Sequence, residues 1–209
     1  MAAATIYGMT EEAVVRVLEA AGVGVTLVGS RSTGSATPLS DWDYRLESSD
    51  NAELAVRLPS LCRSIETLAA QWDRLTEHAT YMLMLPGARK IDLFPGDERR
   101  PIEPPWRPGP DTIGAIDAHF WDWTLWLGAK MLAGHHELVR IELEKMYEHL
   151  LGPLGVGSKA RSITESVHTY LSASAEWEHR CDVALPTQLR NDVLRALREH
   201  HVLTAAPDG

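Results

Sequence analysis

Between Pro95 and Pro110 the chain also carries Pro101, Pro104, Pro105 and Pro108. Each proline fixes φ and removes a backbone donor, so neither regular helix nor a paired central strand can run through this stretch. It therefore divides the sequence into two parts, and the two parts have different periodicities. A length of 209 residues is long for one compact domain and short for two full ones, which fits one catalytic-sized domain and a smaller companion.

Before the proline stretch the pattern is mixed. Thr10 is placed to cap a helix with Glu11 and Glu12 in its first turn, and Ala13, Val14, Val17, Leu18 and Ala21 repeat at helical spacing until Gly22. Val25 to Val28 reads as a buried strand, and a small-residue turn through Ser32, Gly34 and Ser35 leads to a second strand at Trp42 to Leu46. Apolar residues at three- and four-residue spacing predict a helix from Leu54 to Ala70, and Tyr81 to Leu85, Pro86-Gly87 and Lys90 to Phe94 predict a β-hairpin. Beyond the prolines the pattern is helical throughout: Thr112 to Ala133, Glu137 to Leu151, Ser162 to Glu178 and Pro186 to His201. The expected fold class is α+β, a mixed-sheet first half followed by an all-α bundle.

Composition narrows the functions open to such a chain. Hydrophobic residues at 44% and charged residues at 23% are those of an ordinary folded protein. The net charge of −9 opposes tight, sequence-independent binding of long nucleic acid, which depends on cations displacing phosphate counterions. Cys62 and Cys181 have no partner at metal or redox spacing, consistent with reduced thiols. Met1 to Gly8 lacks a basic start and a long apolar run, and no window approaches ~18 uninterrupted apolar residues. The expected location is the cytoplasm, with no membrane partner. The oligomeric state is open.

The chemistry concentrates in Leu27-Val28-Gly29-Ser30 and Ser40-Asp41-Trp42-Asp43-Tyr44. On a strand, residues i and i+2 point to one face, so Asp41 and Asp43 converge, and converging carboxylates repel unless a cation lies between them. Magnesium suits such a place because it takes oxygen ligands from one or two carboxylates and completes its shell with water and substrate phosphates. Gly29 allows close backbone approach to a phosphate, and the Ser30 hydroxyl and nearby amides can donate to it. Asp92, between Ile91 and Leu93 on a predicted strand, is a third acid, suited to a two-metal site or to taking a proton from an attacking hydroxyl. A solvent-facing Asp92 or a turn-capping Asp41 is the plainer alternative. Arg31, Arg45, Arg89 and Lys90 are candidate counter-charges for a triphosphate, with solvated surface as the competing explanation.

Taken in order, a hydrophobic residue, Gly29-Ser30, ten intervening residues, Asp41-x-Asp43 and then Ile91-Asp92-Leu93 resemble the signature of the DNA polymerase beta superfamily of nucleotidyltransferases. Within it, Gly34, Pro38 and Ser40 look like the streptomycin- and spectinomycin-type adenylyltransferases and other small bacterial relatives. The run from Phe120 to Lys130, followed by Leu132 to Leu151, is similar to the paired helices of antibiotic-modifying members, although Ala133-Gly134-His135 stands where relatives often have Arg-Gly.

The resemblance implies a nucleotidyltransferase domain over residues 1–97, a proline-rich linker over 98–111 and a helical acceptor-side domain over 112–209. It implies magnesium, as a pair of ions, on Asp41, Asp43 and Asp92, and ATP or another nucleoside triphosphate as substrate near Gly29, Ser30, Arg31, Ser40 and Lys90. The implied reaction moves AMP to a hydroxyl of a small molecule, such as an aminoglycoside-like antibiotic, held in the inter-domain cleft, and releases pyrophosphate. Two alternatives stand beside it: a toxin–antitoxin type nucleotidyltransferase acting on protein or tRNA, and a nucleotide-binding module without turnover.

Trp121, Trp123 and Trp126 cannot share one helical face, so at least one is expected in the core and one lining a cleft or interface. Glu137, Glu142 and Glu144 are candidates for a general base from the helical half, with helix surface as the ordinary reading, and His135-His136 and His200-His201 lie at helix ends, where they meet terminal carbonyls.

Overall fold

The computed structural model describes residues 10–96 and 107–203. The segment Met1 to Gly8 and most of the 98–111 linker lie outside the described residues.

Thr10 precedes α1 (Glu11–Ala20), whose two first-turn glutamates lie at the positive end of the helix dipole. Strand β1 (Gly24–Val28) runs directly into the single turn α2 (Gly29–Ser32). Next come β2 (Trp42–Glu47) and α3 (Asn51–Leu61), the latter capped by Asp50, whose carboxylate accepts from Glu53 N at 2.9 Å. Strands β3 (Ala69–Trp72), β4 (Tyr81–Leu85) and β5 (Arg89–Phe94) complete a five-stranded mixed sheet of order β1-β2-β5-β4-β3. All neighbours are antiparallel except β2 and β5. The second part contributes α4 (Ile113–Leu132), α5 (His136–Met146, prolonged by a wider turn over Tyr147–Leu151), α6 (Ile163–Cys181) and α7 (Thr187–Glu199). A mixed sheet with seven helices among the described residues agrees with the expected α+β class.

One expected element is corrected. The helix predicted from Leu54 to Ala70 ends at Leu61; a 3-10 turn over Cys62–Ser64 follows, and Ile65 is already extended. Cys62 and Ile65 continue the apolar spacing of α3 because both pack under the sheet, not because the helix goes on. Beyond them the backbone finds a better set of partners. Leu68 N donates to Met84 O at 2.7 Å, and Ala69 to Trp72 pair along β4. Long-range pairing here overrides a local periodicity.

Strand β4 is buried on both faces, and its alternation shows what each face meets. Tyr81, Leu83 and Leu85 join Ile91, Leu93, Tyr44 and Leu46 in a core closed by Val14 and Leu18 of α1 and by Leu54 and Leu58 of α3. Met82 and Met84 point the other way, into a core shared with α4 to α7. Helix α4 is buried around most of its circumference, as a central helix should be. Gly128 on α4 permits close packing, since a Cβ there would stand 2.4 Å from Leu197 Cδ2 and 3.1 Å from Leu39 Cδ1. Two polar contacts pin the helices to the sheet. Gln71 Nε2 donates to Ala115 O at 3.1 Å, and Gly87 N at the β4–β5 turn donates to Asp192 Oδ2 at 2.8 Å.

Candidate metal centre

The strand alternation that sends Ile91 and Leu93 to the α1/α3 side sends Lys90 and Asp92 to the opposite side, facing α4. On β2, Tyr44 and Leu46 take the α1/α3 side, so Asp43 also faces α4. The parallel pairing sets Asp43 directly opposite Asp92, and Asp41 arrives on the same spot just before β2 begins. Asp41, Asp43 and Asp92 each offer a carboxylate oxygen, and these oxygens lie within 4.8 Å of one another. Asp41 and Asp92 are buried and Asp43 is half-buried.

These residues fit a divalent ion. All donors are carboxylate oxygens, the ligand type of a hard cation. Asp92 Oδ1 is buried with no hydrogen-bond partner, an arrangement that is costly unless something positive satisfies it. Burial and the neighbouring Asp41 push the Asp43 carboxyl up to about 6, against the pull of Lys90, Lys130 and Arg31. Burial raises Asp92 well above the usual carboxylate range; Lys90 opposes this, while Asp122 and Asp41 add to it. A divalent cation reverses that balance, because its charge dominates the local field.

Gly29 closes one side of the centre. Its φ is +68°, and a Cβ built on it would fall 2.0 Å from Asp43 Oδ2, so the β1–α2 junction runs directly over the carboxylate. Ser30 lines the same cavity. Arg31 donates from Nε to Asp41 O at 2.9 Å and from its terminal nitrogen to Ser40 O, with the guanidinium 4.1 Å above the Trp42 ring. Ser40 accepts from Thr37 N at 2.9 Å through its hydroxyl, which closes the turn that delivers Asp41. Arg31 and Ser40 thus hold the backbone of the aspartate segment. Arg89, on the other face of β5, lies 3.6 Å from Glu11 of α1.

Lys90 is buried at the heart of the site. Its Nζ lies 3.0 Å from Asp92 Oδ2, 3.0 Å from Asp122 Oδ1 and 3.8 Å from Asp41 Oδ2. Burial disfavours its charge, but Asp122, Asp92 and Asp41 together outweigh burial and hold its pKa well above the ordinary lysine value. Asp122, on α4, has no counterpart among the residues anticipated from sequence. It lies in an apolar, aromatic helix at 2% exposure, and an acid in such surroundings was the available signal. His119, one turn earlier, places its ring nitrogens 3.9 Å from Asp122 Oδ2 and 3.9 Å from Asp73 Oδ1, with Trp123 against its ring.

A cavity of about 820 Å³ opens from the carboxylates between the sheet and the helices. Trp123 and Trp126 line it, whereas Trp121 is fully buried, donating to Asp117 Oδ1 at 2.9 Å. Lys130, near the end of α4, lines the cavity with its Nζ 4.9 Å from the Trp126 ring centre. Glu142 also lines the cavity, 2.7 Å from Lys145, while Glu137 and Glu144 pair with Arg140 outside it.

The chain matches no protein-family model. No curated protein is significantly similar to it. Among the described residues no helix is long and apolar enough to cross a membrane.

Proposed function

We propose that this protein is a magnesium-dependent nucleotidyltransferase that moves a nucleoside monophosphate, AMP from ATP, to a hydroxyl of a small molecule bound in the cavity. The observation that carries this reading is the convergence of Asp41, Asp43 and Asp92 within 4.8 Å beneath the Gly29-Ser30 turn, with Asp92 Oδ1 buried and unpartnered. The family resemblance of the Gly-Ser and Asp-x-Asp spacing supports it.

In this reading Asp41, Asp43 and Asp92 would hold magnesium, and the chemistry it would supply is neutralisation of phosphate charge. Gly29, having no side chain, lets the Asp43 carboxylate sit against the β1–α2 turn, and the Ser30 hydroxyl, which lines the same cavity, donates to phosphate oxygens. Arg31 and Ser40 fix the approach of Asp41 by holding its backbone. Lys130 lines the cavity, acts on the Asp43 carboxyl, and supplies positive charge toward the leaving pyrophosphate. Trp123 and Trp126 offer flat apolar surface to the acceptor or the base. Such in-line transfer needs positioning and charge neutralisation, and no nucleophilic side chain.

The test is incubation with α-labelled ATP, magnesium and a panel of aminoglycosides and lincosamides. The expected result is a labelled small-molecule product with release of pyrophosphate, abolished by Asp43→Asn. Label appearing only on tRNA or protein would move the acceptor to a macromolecule. Absence of any transfer, with Asp43→Asn binding nucleotide as the parent does, would reject the reading.

A further inference from the structure

The sequence motif suggests a centre with two divalent ions, but one of the positive charges is already part of the chain. Lys90 and Asp92 are two residues apart on β5 and therefore share the face of the sheet that carries the carboxylates. The Lys90 ammonium reaches both Asp92 Oδ2, at 3.0 Å, and Asp41 Oδ2, at 3.8 Å. Standing between two carboxylates brought from separate parts of the chain is the place of a second cation in a two-metal centre, where the ions stand about 3.5–4 Å apart. On its far side the ammonium is anchored by Asp122 of α4 at 3.0 Å, and it is enclosed at 7% exposure. A second divalent ion between these carboxylates would meet this cation at close range in a medium that screens poorly, where repulsion is severe. The other side of the centre is open to a ligand: Asp92 Oδ1 is buried without a hydrogen-bond partner, and half-buried Asp43 lines the same cavity as Asp92.

We propose that Lys90, anchored by Asp122, is a positioning residue that occupies one cation place of the centre, so that the chain takes a single divalent ion where the motif alone suggests two. The inference rests on the metal-dependent reading above and concerns the number of ions, not the reaction. It also gives Asp122 a role: the helical half supplies the anchor that keeps the ammonium between Asp41 and Asp92.

Manganese is the probe, titrated into the full chain with a non-hydrolysable ATP analogue and followed by electron paramagnetic resonance, since two ions about 3.5–4 Å apart give a coupled spectrum and one ion does not. The parent protein is expected to bind one ion per chain with an uncoupled spectrum. Lys90→Met is expected to bind two with a coupled spectrum. Because that variant leaves Asp92 and Asp122 buried without their cation, Lys90→Met/Asp122→Asn, which removes one positive and one negative charge together, provides the better-folded version of the same test. Lys90→Arg, which keeps a cation in place, is expected to retain the uncoupled single-ion spectrum. A coupled pair in the parent overturns the proposal, as do folded Lys90→Met or double variants that stay at one ion, or Lys90→Arg gaining a second. Failure of the parent to bind any manganese rejects instead the metal-dependent reading on which the proposal stands.

Discussion

A Cβ on Gly29 would lie 2.0 Å from Asp43 Oδ2 and 2.9 Å from its Cγ. The β1–α2 junction and the Asp43 carboxylate are therefore fitted to each other, and a side chain there requires Asp43 to move. Gly29→Ala combines that overlap with a φ of +68°. We expect it to cost about 1–3 kcal/mol of folding stability and to displace the Asp43 carboxylate, with at least a tenfold loss of manganese affinity by calorimetry. Gly34 provides the contrast: its φ is +72°, but nothing lies within 4 Å of the place a Cβ would take. Gly34→Ala should show the backbone strain alone, about 1 kcal/mol, with metal affinity unchanged.

Asp43→Asn should separate stability from function. With its carboxyl pushed up to about 6 by burial and by Asp41, Asp43 ionises at neutral pH against its surroundings, so the metal-free fold is less stable with the charge than without it. The variant should melt higher than the parent in chelator. The same change removes an anionic ligand, so the stabilisation that manganese gives the parent should largely vanish. Thermal melts with and without metal decide both points.

Asp117 predicts a pH dependence in the helical core. Its Oδ1 accepts from Tyr170 at 2.6 Å and from Trp121 Nε1 at 2.9 Å, yet burial raises its carboxyl to about 6. A carboxyl with a raised folded-state pKa contributes stability below its unfolded value of 3.8, and that contribution is lost as pH rises through about 6. Asp117→Asn keeps an acceptor oxygen and cannot ionise. The stability of the parent relative to this variant should fall by about 2–3 kcal/mol between pH 4 and pH 7, measured by urea denaturation at each pH. A constant difference would show that the folded-state carboxyl ionises near its ordinary value and that burial does not raise it.

Asp192 joins α7 to the β4–β5 turn through Gly87 N. Asp192→Ala should cost about 1–2 kcal/mol in denaturant, because water can reach the exposed Gly87 amide and replace part of the bond. Asp192→Asn keeps the acceptor and should cost less. Neither should alter manganese affinity, since the bond lies away from the carboxylate centre.

The carboxylates of the centre are legible in the sequence because strand geometry is local: a spacing of two puts Asp41 and Asp43 together, and an acid between Ile91 and Leu93 stands out. What those acids meet is not local. Lys90 reads as a candidate phosphate ligand until the face of β5 and the approach of α4 bring it against Asp92 and Asp122. Arg31 likewise reads as a counter-charge, and only the folded chain shows its hydrogen bonds to the Ser40 and Asp41 carbonyls. Asp122 sits between Trp121 and Trp123 with no motif around it, and only the packing of α4 on the sheet reveals its partner. The fold shows the same division. The four long helices after the prolines and the β4–β5 hairpin follow from periodicity and turn residues, whereas β3 exists only because β4 offers it a partner, and its own residues had extended the apparent helix.

The register that sets Asp43 opposite Asp92 joins β2 to β5, the parallel pair of the sheet, across all the chain that forms α3, β3 and β4. Parallel pairing over so long a loop is slow compared with closing a hairpin. A partly folded chain with its helices and the β4–β5 hairpin in place would still hold its acids apart and have no ion-binding centre. Capture of manganese during refolding would therefore time the last join in the sheet, and the chain would acquire its chemistry only when assembly is finished.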